Sequence, residues 1–185
     1  MRKVKRSDVV DYQTYNDRRE SFRARILEEK GKRRIHVGEH LTFLFESTET
    51  ILYQVQEMMR LEQTVRETEI QHEIDTYNQL LGGAGELGCT LLIEIDDAAS
   101  RAQKLQDWLS LPEHLYLALE DGRRVRASWD QAQVGDTRLS SVQYLKFAVG
   151  ELAPVAIGAD HPALTLETAL TDAQRQTLQQ DLSST

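Results

Sequence analysis

Glu69-Ile70-Gln71-His72 sets a carboxylate and an imidazole three residues apart, one helical turn on a single face. This is the spacing that carboxylate-bridged di-iron bundles use. Asp75 extends the same face by another turn. On a helix starting near Thr48, the apolar stripe Ile51, Val55, Met58 continues onto Glu62, Val65, Glu69 and His72. Buried carboxylates are costly unless paired or bound to a cation. The expected metal ligands are therefore Glu62, Glu69 and His72, with Glu57, Asp75 and His161 as further candidates. Imidazole with carboxylates suits iron, manganese or zinc. A di-iron bundle needs two Glu-x-x-His pairs and the chain has one, so the expectation is a mononuclear site. Two other arrangements stay open. A break near Glu62 to Thr64 would let all these groups reach solvent. Alternatively, ion pairs such as Glu57 with Arg60 and His72 with Asp75 would satisfy them without a metal.

Other catalytic templates are missing, and no catalytic residue is assigned. There is no Gly-x-Ser-x-Gly, no phosphate-binding Gly-x-x-x-x-Gly-Lys and no dinucleotide fingerprint. His72-Glu73 does not open a metalloprotease motif, because position 76 is Thr. Cys89 stands alone in the apolar run Cys89-Thr90-Leu91-Leu92-Ile93 and reads as a small core residue. His36, His40 and His114 are scattered. His161, in the turn Asp160-His161-Pro162, is the one placed to act as a distant ligand or a surface-site residue.

The elements that position these residues follow from period and punctuation. Residues 8–30 read as a helix stopped by Gly31, and 34–37 and 41–45 as short strands. Ser47 is an N-cap, and no Gly or Pro interrupts the 34 residues before Gly82-Gly83. Leu87 to Ile95 is a strand covered on both faces. Residues 98–109 form an amphipathic helix closed by Pro112, and Asp121-Gly122 turns a hairpin between 114–120 and 123–128. Strands follow at 142–149 and 154–157, and Thr171-Asp172-Ala173-Gln174 opens a last helix to Leu182.

The expectation is a single α+β domain over residues 1–185. A basic helical arm spans 1–34, the central helical segment 47–82, mostly strands 87–158 and a C-terminal helix 171–182. The long helical segment of the N-terminal half packs on an antiparallel or mixed sheet from the C-terminal half. Net charge is −8, but residues 1–34 carry 12 Lys/Arg against 6 Asp/Glu, a balance of +6 on a body of −14. This arm docks on its own body or on an acidic partner, and no nucleic-acid motif accompanies it. No apolar run reaches the roughly 20 residues of a membrane-spanning helix, and no export signal follows the basic start. A cytoplasmic protein is expected, with homo-oligomerisation open.

Several stretches together resemble a bacterial family, domain-of-unknown-function family 3501. They are Arg33-Arg34-Ile35-His36-Val37-Gly38, Phe43-Leu44-Phe45-Glu46, residues 53–62, His72-Glu73-Ile74-Asp75-Thr76-Tyr77-Asn78, Ser141-Val142-Gln143-Tyr144 and Asp160-His161-Pro162. The resemblance implies a genomic setting beside rubrerythrin-like proteins and iron–sulfur proteins related to heterodisulfide reductase. It thereby implies an accessory or interaction protein of a redox or peroxide-defence system. A metal-dependent oxidoreductase using non-haem iron or manganese is the alternative. The family assigns no catalytic residue.

Overall fold

A computed structural model describes residues 1–131 and 135–183. Its helices are α1 (Tyr12–Arg33), α2 (Thr48–Glu62), α3 (Glu67–Asn78), α4 (Ala98–Asp107), α5 (Leu111–His114) and α6 (Asp172–Ser183). Its strands are β1 (Arg34–Val37), β2 (Leu41–Phe45), β3 (Glu86–Ile93), β4 (Leu115–Leu119), β5 (Arg124–Arg126), β6 (Ser128–Trp129), β7 (Val142–Ala148), β8 (Pro154–His161) and β9 (Leu164–Ala169).

Alternation along the strands builds the main core. One antiparallel sheet runs β1-β2-β3-β7-β6 and the other β5-β4-β8-β9. Their inner faces supply Val37, Phe43, Phe45, Leu91, Leu117, Phe147 and Ile157, all fully buried. The segment 124–129 passes from one sheet to the other at buried Ala127, whose N–H still donates to the Leu115 carbonyl at 3.0 Å. Strands β1 and β2 come from the N-terminal half, so the expected division of helices first and sheet second is only approximate. The α+β class and the packing of the long N-terminal helix on the antiparallel core hold.

The outer face of the first sheet is covered by α1 and α2. There the buried Glu46 carboxylate accepts hydrogen bonds from Thr50 of α2 (2.5 Å) and Thr90 of β3 (2.6 Å), fixing helix to sheet. A second apolar cluster lies between α2 and α3, built from Ile51, Val55, Met59, Ile70, Ile74 and Leu81. The first ten residues strap across it. Val4 and Val9 bury their side chains there. Two buried amides read the strap's backbone: Asn78 exchanges two bonds with Val4 (2.9 Å each), and Gln56 two with Val10 (2.8 and 3.0 Å).

Several boundaries differ from expectation. Helix α1 runs through Gly31, where a Cβ would meet no atom within 4 Å, and ends only where β1 begins. Pro112 opens α5 rather than closing α4, since a first-turn Pro forfeits no helical hydrogen bond. Asp160 and His161 are the last residues of β8, and β9 follows after a short turn. The caps at Ser47 and Thr171 form as expected.

Candidate functional site

The central segment is two helices. Helix α2 stops at Glu62 because Gln63 takes a left-handed conformation (φ 51°), with its N–H returning to the Met59 carbonyl. The Thr64 N–H reaches the same carbonyl at 3.0 Å. Left-handed backbone is uncommon for a residue with a Cβ. Here the two returning bonds and the burial of Thr64 hold it. The new helix direction buries Ile70, Ile74 and Asn78 and turns the polar face to water.

This overturns the expected metal centre. Glu62, Glu69, His72 and Asp75 are all exposed. Glu69 pairs with Arg66 at 3.3 Å, and Asp75 accepts from Gln71 at 2.9 Å. Among the described residues, no group of three or more His, Cys, Asp or Glu is placed to hold a metal ion. Iron, manganese and zinc therefore find no ligand set in Glu62, Glu69 and His72, with or without Glu57, Asp75 and His161. The open alternative of a helix break near Glu62 to Thr64 is realised, and of the two ion pairs offered as the other alternative Glu57–Arg60 forms at 3.4 Å.

Glu57 sits apart from that group, facing α1. Arg19 grips its carboxylate with two bonds (2.7 and 2.9 Å), and the Tyr15 hydroxyl donates a third (2.7 Å). Burial alone would raise the Glu57 carboxyl. The hydrogen bonds from Arg19 and Tyr15, with the charges of Arg19 and Arg60, outweigh it and hold the group at about 2. The basic arm is thereby fixed to its own body, with Arg25–Glu49 and Arg33–Asp181 as further clamps.

His161 does belong to a polar cluster, at the end of β8. It is 5% exposed, and its Nδ1 accepts from the Ala163 N–H at 3.1 Å. In the neutral ring that leaves the proton on Nε2, 3.2 Å from the Ser110 hydroxyl. Burial, then the neighbouring His114 charge, pushes its pKa below the ordinary value. Next to it, Arg126 grips Asp160 with two 2.7 Å bonds, and His114 Nδ1 lies 3.3 Å away. The Arg126 bond, acting against burial, holds the Asp160 carboxyl at about 2. Both His161 nitrogens and the Asp160 carboxylate are committed to protein partners, so this cluster is a structural clasp between β5, α5 and β8. Sequence reasoning found His161 but missed Arg126 and the place of His114, which β5 and the end of α5 bring to Asp160 across the fold.

Tyr116 extends this face. Its ring lies across Gly158 to donate to Glu167 at 2.7 Å, with the Arg124 guanidinium 4.2 Å above it. A Cβ at Gly158 would come within 2.7 Å of the Tyr116 hydroxyl and 2.6 Å of the Leu166 carbonyl. Gly158→Ala is expected to displace the ring and lower stability by about 1–3 kcal/mol in urea denaturation.

A cleft of about 910 Å³ lies elsewhere, between the strap, the loop after α3 and the β6–β7 corner. Met1, Leu80, Leu81, Trp129 and Tyr144 give it an apolar wall, and Lys3, Glu86 and Lys146 place both charges on it. Tyr144 is 40% exposed, one of few large apolar side chains left so open. Gly82 and Gly88 let the loop backbone pack directly on β3, since a Cβ at Gly88 would meet the Leu80 carbonyl at 1.9 Å. The loop after α3 thus forms one wall of the cleft.

No helix among the described residues is long and apolar enough to cross a membrane. No curated protein matches the chain. A crystal structure of a novel protein of unknown function from Burkholderia pseudomallei K96243 is similar, with 28% identity and a TM-score of 0.90, covering 98% of this chain and all of that one. The model of a family described as "Protein of unknown function (DUF3501)" matches residues 3–182, and the chain belongs to that family.

Proposed function

We propose that the protein is an accessory protein of a bacterial redox or peroxide-defence system, which works by docking a protein partner at the cleft beside Trp129 and Tyr144. The observation that carries this reading is the cleft itself. It combines aromatic and aliphatic walls with a few charges of both signs, the composition of recognition sites rather than of an ordinary charged surface. The redox setting rests on what the family resemblance implies, a genomic setting beside rubrerythrin-like and iron–sulfur proteins.

The test is calorimetric titration with the rubrerythrin-like and iron–sulfur proteins of the same genome. Saturable binding with a Kd of roughly 1–100 μM is expected, together with at least a tenfold loss in Tyr144→Ala and Lys146→Glu. Absence of saturation with every such partner at about 100 μM would reject the redox setting. Binding that those two substitutions leave unchanged would reject the cleft.

A further inference from the structure

We propose that the cleft beside Trp129 and Tyr144 receives an acidic protein segment, extended, with Asp or Glu flanking an apolar side chain. This rests on the docking reading above and names the chemistry of what docks. The charges on the cleft are unequally committed. Glu86 accepts from the Gly83 N–H at 3.0 Å, so its carboxylate already closes the loop after α3. Asp130 also has an interaction partner within the chain. Lys3 and Lys146 line the same cleft, and neither side chain has a hydrogen bond or ion pair among the described residues. On the same strap, Arg2 and Arg6 are paired with Asp8 and Glu67, each at 2.6 Å. The charge left open at the cleft is therefore positive.

Strand geometry sets the pattern that the segment must carry. Tyr144 and Lys146 are two apart on β7, so they leave the same face about 7 Å from each other. Alternate side chains of an extended segment have that same spacing. An apolar residue laid on Tyr144 thus brings an acid two positions away to Lys146. A second acid meets Lys3, which stands on the strap and so on a different wall. Tyr144 and Trp129 supply the affinity, because aromatic anchors dominate interface energetics. The lysines supply selectivity, since exposed ion pairs add little affinity but like charges exclude wrong partners.

A protein segment fits the cleft better than a nucleic acid does. The chain carries −8 overall, and Glu86 and Asp130 stand on the cleft itself. A continuous run of phosphates would meet that field along its whole length. Its affinity comes from many cationic contacts, where the cleft offers two lysines. A short acidic segment places its few carboxylates only where the lysines are.

The experiment titrates the full chain into fluorescent capped peptides of one length, followed by anisotropy. One carries Leu and Phe flanked by Asp and Glu, the second has Asn and Gln in place of the acids, and the third has Lys. The acidic peptide is expected to bind at least about tenfold tighter than the amide version, an advantage that added salt reduces. In Lys3→Glu with Lys146→Glu the order is expected to invert, with the Lys peptide binding tightest. Uniform weakening of all three peptides in that variant overturns the charge pairing. Equal affinity of the wild type for acidic and amide peptides, still lost in Tyr144→Ala, overturns the acidic segment and leaves the docking reading standing. Peptide binding that Tyr144→Ala leaves unchanged overturns both. Tighter binding of a single-stranded oligonucleotide than of the acidic peptide overturns the choice of a protein segment.

Discussion

Asp181→Ala is expected to lower stability by about 3 kcal/mol and the Tm of this 185-residue chain by roughly 6–12 °C. Arg33, the last residue of α1, donates to Asp181 of α6 at 2.7 Å, and both side chains are over nine-tenths buried. Removing the carboxylate leaves the guanidinium buried with Glu29 as its remaining carboxylate partner. That residual pair puts the expected loss at the lower end of the range for broken buried ion pairs. The pair itself is imperfect, because Arg33 Nε and Asp181 Oδ2 find no hydrogen-bond partner among the described residues. Replacing both together, Arg33→Met with Asp181→Leu, is therefore expected to recover most of the loss. Calorimetric melting of the three variants checks this, and a double variant as damaged as the single one would refute it. Burial, against the opposing pull of Arg33, raises the Asp181 carboxyl above its ordinary value. Ionising Asp181 therefore weakens the fold as pH rises through the folded value, the reverse of Glu57, and the loss expected of Asp181→Ala comes from the buried guanidinium it strands.

Glu57→Gln is the second large effect. A carboxyl held at about 2 against an ordinary 4.5 corresponds to roughly 3 kcal/mol of stability. Arg19 is partly open to solvent, and screening there reduces the contribution to about 2 kcal/mol. The folded value is depressed, so the contribution is complete above about 4.5 and disappears as pH falls toward about 2. Urea denaturation at pH 7 should separate wild type from Glu57→Gln by about 2 kcal/mol. At pH 2 to 2.5 the two curves should nearly coincide. A constant difference across that range would mean that Glu57 acts through packing and not through its charge.

These two residues show what the sequence reveals and what it withholds. Punctuation was legible wherever a local bond decides it. Ser47 and Thr171 cap helices and Asp121-Gly122 turns a hairpin, each through neighbours within four residues, whereas α3 ends at Asn78 with Gln79 as its cap, short of Gly82. The break at Gln63 was legible only as an alternative, since a left-handed Gln carries no mark of its own and Val65, which seemed to continue the apolar period, is exposed. Strand β9 was missed because Leu164 and Leu166 are only partly buried and alternate with Thr165 and Glu167 over just six residues. The break separates Glu62 from the other candidates, and Glu69, His72 and Asp75 share a face of α3 that turns to water instead of to the core. Gln56 and Asn78 left a trace that went unread. Asn78 continues the stripe of Ile70 and Ile74, and a buried amide on an apolar stripe must have a backbone to bind.

The docking account is tested most directly by hydrogen exchange of the backbone with and without the bound redox partner. Protection confined to residues 79–84 and 144–146, with residues 110–114 and 160–167 unchanged, is the predicted footprint. Protection centred on the His114–Asp160 clasp instead, or a footprint that avoids the cleft, would contradict it.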